Sequence, residues 1–213
     1  LPDMTFEEAL EITKIHSVAG VLDIDDGIIT TRPFRSPHHT TTTVALTGGG
    51  RDAKPGEISL SHNGVLFLDE LPEYTRHTIE TLRQPLEDGV ITVSRVENTV
   101  EYPANFTMIA SMNPCPCGNY GSREKECKCT PAVIQKYLNK LSGPLMDRID
   151  MHIEVDSVKY LDLKSTTLEE DSASVKARVD KARKIQLERY AGTNIFSNSK
   201  MTDTMVKKYC RLS

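Results

Sequence analysis

Gly64-Val65-Leu66-Phe67-Leu68-Asp69-Glu70 is the stretch that decides the fold. Four consecutive apolar residues followed by two acids read as a strand buried on both faces of a parallel sheet, with the acids marking its carboxyl end. Downstream, Thr75 to Glu87 carries Ile79, Leu82 and Leu86 at helical spacing. Asp88-Gly89 then turns into the β runs Val90–Val93 and Thr99–Tyr102, which flank Ser94 to Asn98 as a hairpin. Phe106 to Ser111 predicts a second buried strand ending at Met112-Asn113-Pro114, and Met151 to Val155 a third. Helices are expected from about Pro131 to Leu141 and from Ser174 to Tyr190, the latter with a thin stripe of Val175, Val179, Ala182 and Ile185. Upstream, Thr5-Phe6-Glu7-Glu8 is a capping box opening a helix to about Val18, with Phe6, Ala9 and Leu10 as its apolar stripe. Ile28 to Gly50 shows no helical period and reads as strand and loop. Strands alternating with helices make an α/β fold with a parallel sheet, whose site lies beyond the carboxyl ends of its strands.

Asp69, Glu70 and Asn113 fall at those ends. Adjacent acids after a buried strand suit magnesium-dependent cleavage of a phosphoanhydride, Asp69 orienting the hydrated metal and Glu70 activating the attacking water. The bland reading is a pair of solvated loop acids. Asn113 either holds the water from the adjacent strand or forms a turn before Pro114. Cys115, Cys117, Cys127 and Cys129 make C-x-C-x9-C-x-C, a donor set for structural zinc. Reduced thiols, or redox chemistry aided by Lys125 and Lys128, are the alternatives. Cys210 reads as an ordinary apolar residue. His38 and His39, without nearby acids or cysteines in sequence, read as a solvent-facing pair rather than a metal site. Lysine and arginine total 26 against 30 acids over 213 residues, a net charge of −4, so any contact with nucleic acid must be local. The chain has no apolar run of about 18 residues and no basic segment leading a short apolar one, which predicts neither membrane span nor signal peptide, and a cytoplasmic location.

Five strings carry a resemblance over nearly the whole chain: Arg32 to Thr40 (RPFRSPHHT), Pro55 to Glu73 (PGEISLSHNGVLFLDELPE), Arg83 to Gly89 (RQPLEDG), Met112 to Gly118 (MNPCPCG) and Leu141 to Asp150 (LSGPLMDRID). Together they resemble the magnesium-chelatase-like AAA+ ATPases of the ComM type. The resemblance implies a partial P-loop NTPase core with a helix-2 insert and a hairpin before sensor 1. It implies that Asp69 and Glu70 are the Walker B pair, Asn113 is sensor 1 and Arg148 is the arginine finger serving a neighbouring subunit. From the residues alone, Arg148 between Asp147 and Asp150 is equally a structural ion-pair partner.

The same resemblance implies ATP and Mg2+ as cofactors, a hexameric ring, and contact with branched or single-stranded DNA. By the resemblance Arg32, Arg35, Arg51 and Lys54 lie in the helix-2 insert and Arg95 tips a hairpin of the kind that touches nucleic acid in related motors; scattered surface charge, diluted by Asp52, Glu57 and Glu97, is the alternative. The implied organisation is a core over 1–156, a linker over 157–173 and the start of a helical lid over 174–213. No GxxxxGK[ST] loop occurs in the sequence, and both ends read as cuts inside a longer protein, so the chain alone is expected to be inactive. Three functions stand at this stage: a DNA branch-migration motor in natural transformation, a chelatase-type subunit that remodels a protein partner, and a non-catalytic binding module.

Overall fold

A computed structural model describes residues 1–23, 27–94, 99–122, 124–155, 170–193, 195 and 197–211. The hairpin tip with Arg95 and most of the expected linker lie outside them. Two compact units divide the chain, Met4–Lys159 and Leu1–Asp3 with Tyr160–Ser213.

The first unit opens with α1 (Phe6–Ala19), where the Thr5 hydroxyl accepts from the Glu8 N–H and the Glu8 carboxylate accepts from the Thr5 N–H. Its buried face is Ala9, Ile12 and Ile15, whereas Phe6 points outward at 65% exposure. The predicted stripe was therefore rotated, because a residue in the first turn need not lie over the core. The region expected to lack helix contains β1 (Phe34–Arg35) and also a short helix, α2 (Thr43–Thr47). Thr42 nucleates it, its hydroxyl accepting from the Ala45 N–H. A small ribbon of β2 (Gly48–Gly49) and β3 (Lys54–Pro55) leads into α3 (Glu57–Leu60).

The central sheet has the order β1-β4-β7, all parallel, with β4 at Val65–Leu68 and β7 at Thr107–Ala110. Leu66 and Leu68 are fully buried in a core with Leu46, Ile58, Leu71, Tyr74, Ile79, Leu82, Ile91, Leu141 and Leu145. Each such leucine contributes about 2 kcal/mol by leaving water. The other face is more open. The register sets Phe34 beside Val65 and Ile109 beside Phe67, and Phe34 stacks on Phe67 at 6.2 Å while Ile109 is 48% exposed. Burial on both faces, expected for β4 and β7, is thus realised on one.

The single helix expected over Thr75 to Glu87 is two, α4 (Arg76–Glu80) and α5 (Arg83–Asp88). Pro85 explains the break, since it has no N–H for the Thr81 carbonyl and its ring crowds that oxygen. The hairpin of β5 (Val90–Ser94) and β6 (Thr99–Pro103) forms as expected, with Val90 opposite Pro103 and Ser94 opposite Thr99. After β7 come α6 (Pro131–Leu138) and α7 (Gly143–Met146). The third strand does not form. Residues 151–155 carry no regular structure, and Met151, Ile153 and Val155 are 78%, 79% and 85% exposed. Their period-two pattern suits a strand, but among the described residues no strand pairs with them, and an unpaired strand cannot satisfy its backbone.

In the second unit α8 (Ser172–Arg189) starts at Asp171, whose carboxylate accepts from the Ser174 N–H at 2.7 Å. Tyr190 is its buried anchor, donating to Asn198 at 2.8 Å and meeting Tyr209 of α9 (Asp203–Tyr209) edge-on. No helix among the described residues is long and apolar enough to cross a membrane.

Candidate functional site

Parallel pairing of Leu68 with Ala110 brings the carboxyl ends of β4 and β7 side by side. Two more bonds extend that ladder: the Ser111 N–H donates to the Leu68 carbonyl at 3.0 Å and the Leu71 N–H to the Ser111 carbonyl at 2.9 Å. Asp69 and Glu70 are held between them. Glu70 adopts the left-handed conformation, φ 53° and ψ 48°, which costs a non-glycine residue about 1 kcal/mol and is offset here by its N–H bonds to Asp69 Oδ1 (3.1 Å) and Ser111 Oγ (3.2 Å). The Ser111 hydroxyl donates to the same Asp69 oxygen. One oxygen of Asp69 is therefore fixed, leaving the other for a ligand. The Glu70 side chain is half exposed, with Oε2 3.4 Å from His39 Nδ1.

Sequence reasoning assigned no part here to Ser111 or His39. A buried tyrosine explains the second. Tyr74 donates to the Pro37 carbonyl at 2.5 Å and presents its ring to the edge of His39, so the loop carrying the histidine pair is tied to the segment just after Glu70. Burial first, and then the negative charge of Asp69, push the Tyr74 phenol up to about 12. The His38 ring lies against that of His39, tilted by 35° with centroids 4.0 Å apart, and contacts the Thr40 hydroxyl at 2.9 Å.

Asn113 lies two residues beyond Ser111 and is exposed. Tyr137, a buried residue of α6, has its phenol pushed up by burial and then by the charge of Glu73, against a weaker downward pull from the Asn113 backbone. Near the end of α6, Lys140 lies over the Tyr137 ring and pairs with Glu73 at 3.3 Å. Arg148 follows α7, whose Leu145 is buried in the core, and pairs with Glu87 at 2.9 Å rather than with Asp147 or Asp150. Both members are more than a third exposed, so the pair contributes little to stability. Arg32 and Arg35 are taken up inside the unit, Arg32 by Glu8 at 2.9 Å and by the Asn63 carbonyl, and Arg35 by both oxygens of Glu57 at 2.6 and 2.7 Å.

The four clustered cysteines converge. Their sulfurs all lie within 4.8 Å of one another, with Cys115–Cys117 at 3.3 Å, Cys117–Cys127 at 3.6 Å and Cys115–Cys127 at 3.7 Å. Tetrahedral zinc with Zn–S bonds near 2.3 Å sets sulfurs about 3.8 Å apart, so the donor set and its spacing fit that ion. The Asn119 N–H, and then the Cys115 thiol, pull Cys117 down to about 6. For Cys127 the Cys129 N–H pulls downward, but burial and the Cys117 and Cys115 sulfurs outweigh it and push the thiol up to about 12. Against burial and the Cys117 sulfur, the Tyr120 N–H and the Cys127 thiol lower Cys115 as well, whereas Cys129 is raised, and two acidic thiols that suppress the other two are the electrostatics of a cluster that needs a cation to become fully ionised.

The family model "Magnesium chelatase, subunit ChlI" matches residues 1–163, and "Magnesium chelatase, subunit ChlI C-terminal" matches residues 169–213. Competence protein ComM of Haemophilus influenzae is 44% identical over 215 residues, covering 100% of this chain and 41% of its own length. An uncharacterized protein, YifB of Escherichia coli, is 43% identical with the same coverage. The chain thus spans about two fifths of these relatives. The chloroplastic magnesium-chelatase subunit ChlI of Oryza sativa is 29% identical over 68% of this chain and 29% of its own.

Proposed function

We propose, because this chain belongs to the magnesium chelatase subunit ChlI family, that it carries the water-activating half of an AAA+ ATPase site and works within a ring-forming motor that acts on DNA. The observation that carries the reading is the pairing of Asp69 and Glu70, at the carboxyl end of one parallel strand, with Ser111, which bonds both of them from the end of the adjacent strand two residues before Asn113. Bound Mg2+ and ATP supply the anhydride bond and the charge that neutralises its phosphates. Around them the free oxygen of Asp69 orients the hydrated metal, Glu70 takes the proton of the attacking water and Asn113 holds that water in line. Arg148 exchanges Glu87 for the phosphate of a neighbouring subunit, which an exposed and weakly held ion pair permits. Residues 1–156 form the core fragment, 157–173 a linker and 174–213 the start of a helical lid, in a cytoplasmic protein assembled as a hexamer. The phosphate-cradling loop comes from outside this sequence, so the chain by itself turns over no ATP.

DNA as the substrate, in branch migration during natural transformation, is supported by similarity to a competence protein over the whole of this chain and two fifths of that protein's length. The match to chelatase subunits, partial over the chain, favours a second reading in which ATP drives a protein partner. In the full-length protein, Glu70→Gln should retain nucleotide and lower kcat by about 100-fold or more, as loss of a general base does. Equal rates for the two proteins would remove the catalytic assignment. Stimulation by branched DNA selects the motor, and indifference to DNA selects the chelatase-type reading.

A further inference from the structure

The four cysteines stand at both ends of one loop, and that loop begins two residues after Asn113. Cys115 can be no more than about 7 Å along the chain from Asn113. Its side chain is fully buried. The second pair, Cys127 and Cys129, leads directly into α6, which starts at Pro131. Tyr137, two turns along that helix, is buried, and Lys140 ties the helix end to Glu73, three residues after Glu70, at 3.3 Å. The chain therefore runs from Asn113 through the cysteines and α6 back to the segment that follows Glu70.

Little else fixes Asn113. It is exposed, as are Met112 and Pro114 on either side. The described part of the loop is held by short-range bonds alone: Gly118 N–H to the Cys115 carbonyl, Ser122 N–H to the Asn119 carbonyl, and the Glu124 and Lys125 N–H groups to the Ser122 hydroxyl. Such a loop gains its order from whatever joins the sulfurs, because metal-binding free energy becomes folding free energy where no apolar core exists.

We propose that Cys115, Cys117, Cys127 and Cys129, by holding a zinc ion, clamp the start of α6 to the segment after β7 and so position Asn113, making ATP hydrolysis but not nucleotide binding depend on the metal. The short tether from the buried Cys115 back to Asn113 transmits the clamp. The inference rests on the reading of Asn113 as the residue that orients the attacking water, and it adds a device that controls it.

The test uses the full-length protein, stripped with EDTA and returned to Mg2+ alone, then to Mg2+ with Zn2+. Expected are one zinc per chain before stripping, nucleotide affinity unchanged throughout, and a kcat at least about tenfold lower without zinc, restored by its return, as misplacing a reacting group costs. Hydrogen exchange should rise at residues 111–114 on stripping and stay unchanged at Leu66 and Leu68, which separates loosening of the clamp from general unfolding. Cys127→Ser with Cys129→Ser, which leaves the Asn113 side of the loop untouched, should lose the zinc and lower kcat with nucleotide affinity intact. A stripped protein that hydrolyses ATP at the original rate, or a Cys127→Ser, Cys129→Ser variant of unchanged kcat, overturns the clamp. Absence of zinc overturns clamp and metal together. Unchanged turnover in Glu70→Gln instead removes the underlying hydrolytic reading, so the failures are distinguishable.

Discussion

At the scale of the residue, the site is built by groups whose value depends on a neighbour. The place of Asp69 and Glu70 at the end of β4 was legible because an apolar run followed by two acids marks the carboxyl end of a buried strand. Ser111 was not, since a serine ending a strand gains meaning only once Leu68 is set beside Ala110 and its hydroxyl reaches Asp69. His39 was likewise hidden, because Tyr74, 35 positions away, brings its loop to Glu70. That tyrosine gives a prediction with a definite sign. Its folded phenol keeps a proton up to about 12, whereas the unfolded one loses it near the ordinary tyrosine value of 10. Between those values the folded state binds more protons, so stability is complete below pH 10 and falls as pH rises through the interval. Tyr74→Phe should lose about 1 kcal/mol at pH 8 with the bond to Pro37, and should show a shallower loss between pH 10 and 12 than the parent. Urea midpoints at pH 8 and 11 measure both. Tyr102 and Tyr137, also raised by burial, keep some alkaline sensitivity in the variant.

At the scale of the element, the parallel strands and the hairpin could be read from apolar runs and turn residues, and the capped first helix from four residues. What escaped was tertiary. Pro85 cut one expected helix in two, a rule of local chemistry that the apolar periodicity of Ile79, Leu82 and Leu86 masked. The start of β4 shows how closely its neighbour approaches. A Cβ on Gly64 would lie 2.1 Å from the Pro33 carbonyl oxygen, the same oxygen that accepts the Val65 N–H at 2.9 Å. Neither backbone can yield without breaking the β1–β4 pairing. Gly64→Ala should therefore destabilise the chain by about 2 kcal/mol or more, as overpacking against fixed atoms does. Gly143→Ala, where no atom lies within 4 Å of the added carbon, should stay near the parent in the same thermal melt. A Gly64→Ala protein as stable as Gly143→Ala would mean that β1 does not pair with β4 in this register.

At the scale of the whole molecule, among its described residues the unit from Met4 to Lys159 leaves the β7 edge of its sheet and one apolar segment unpaired. Among the described residues β7 pairs only with β4, and Ile109 on its open face is half exposed. Met151, Ile153 and Val155 alternate with His152 and Glu154 in a strand pattern, yet the three apolar side chains are in water. A segment written as a strand but lacking a ladder partner gains neither backbone bonds nor burial, and the balance tips to the unpaired state. Amides at 151–155 should therefore exchange within the dead time of a hydrogen-exchange experiment, while those of Leu66 and Leu68 are protected to near the global limit. In a longer polypeptide that lays a further strand along β7, the same amides should slow toward the values of β4, because the new strand would supply partners to both. Protection at 151–155 in this chain alone would show instead that the segment finds a partner without that strand.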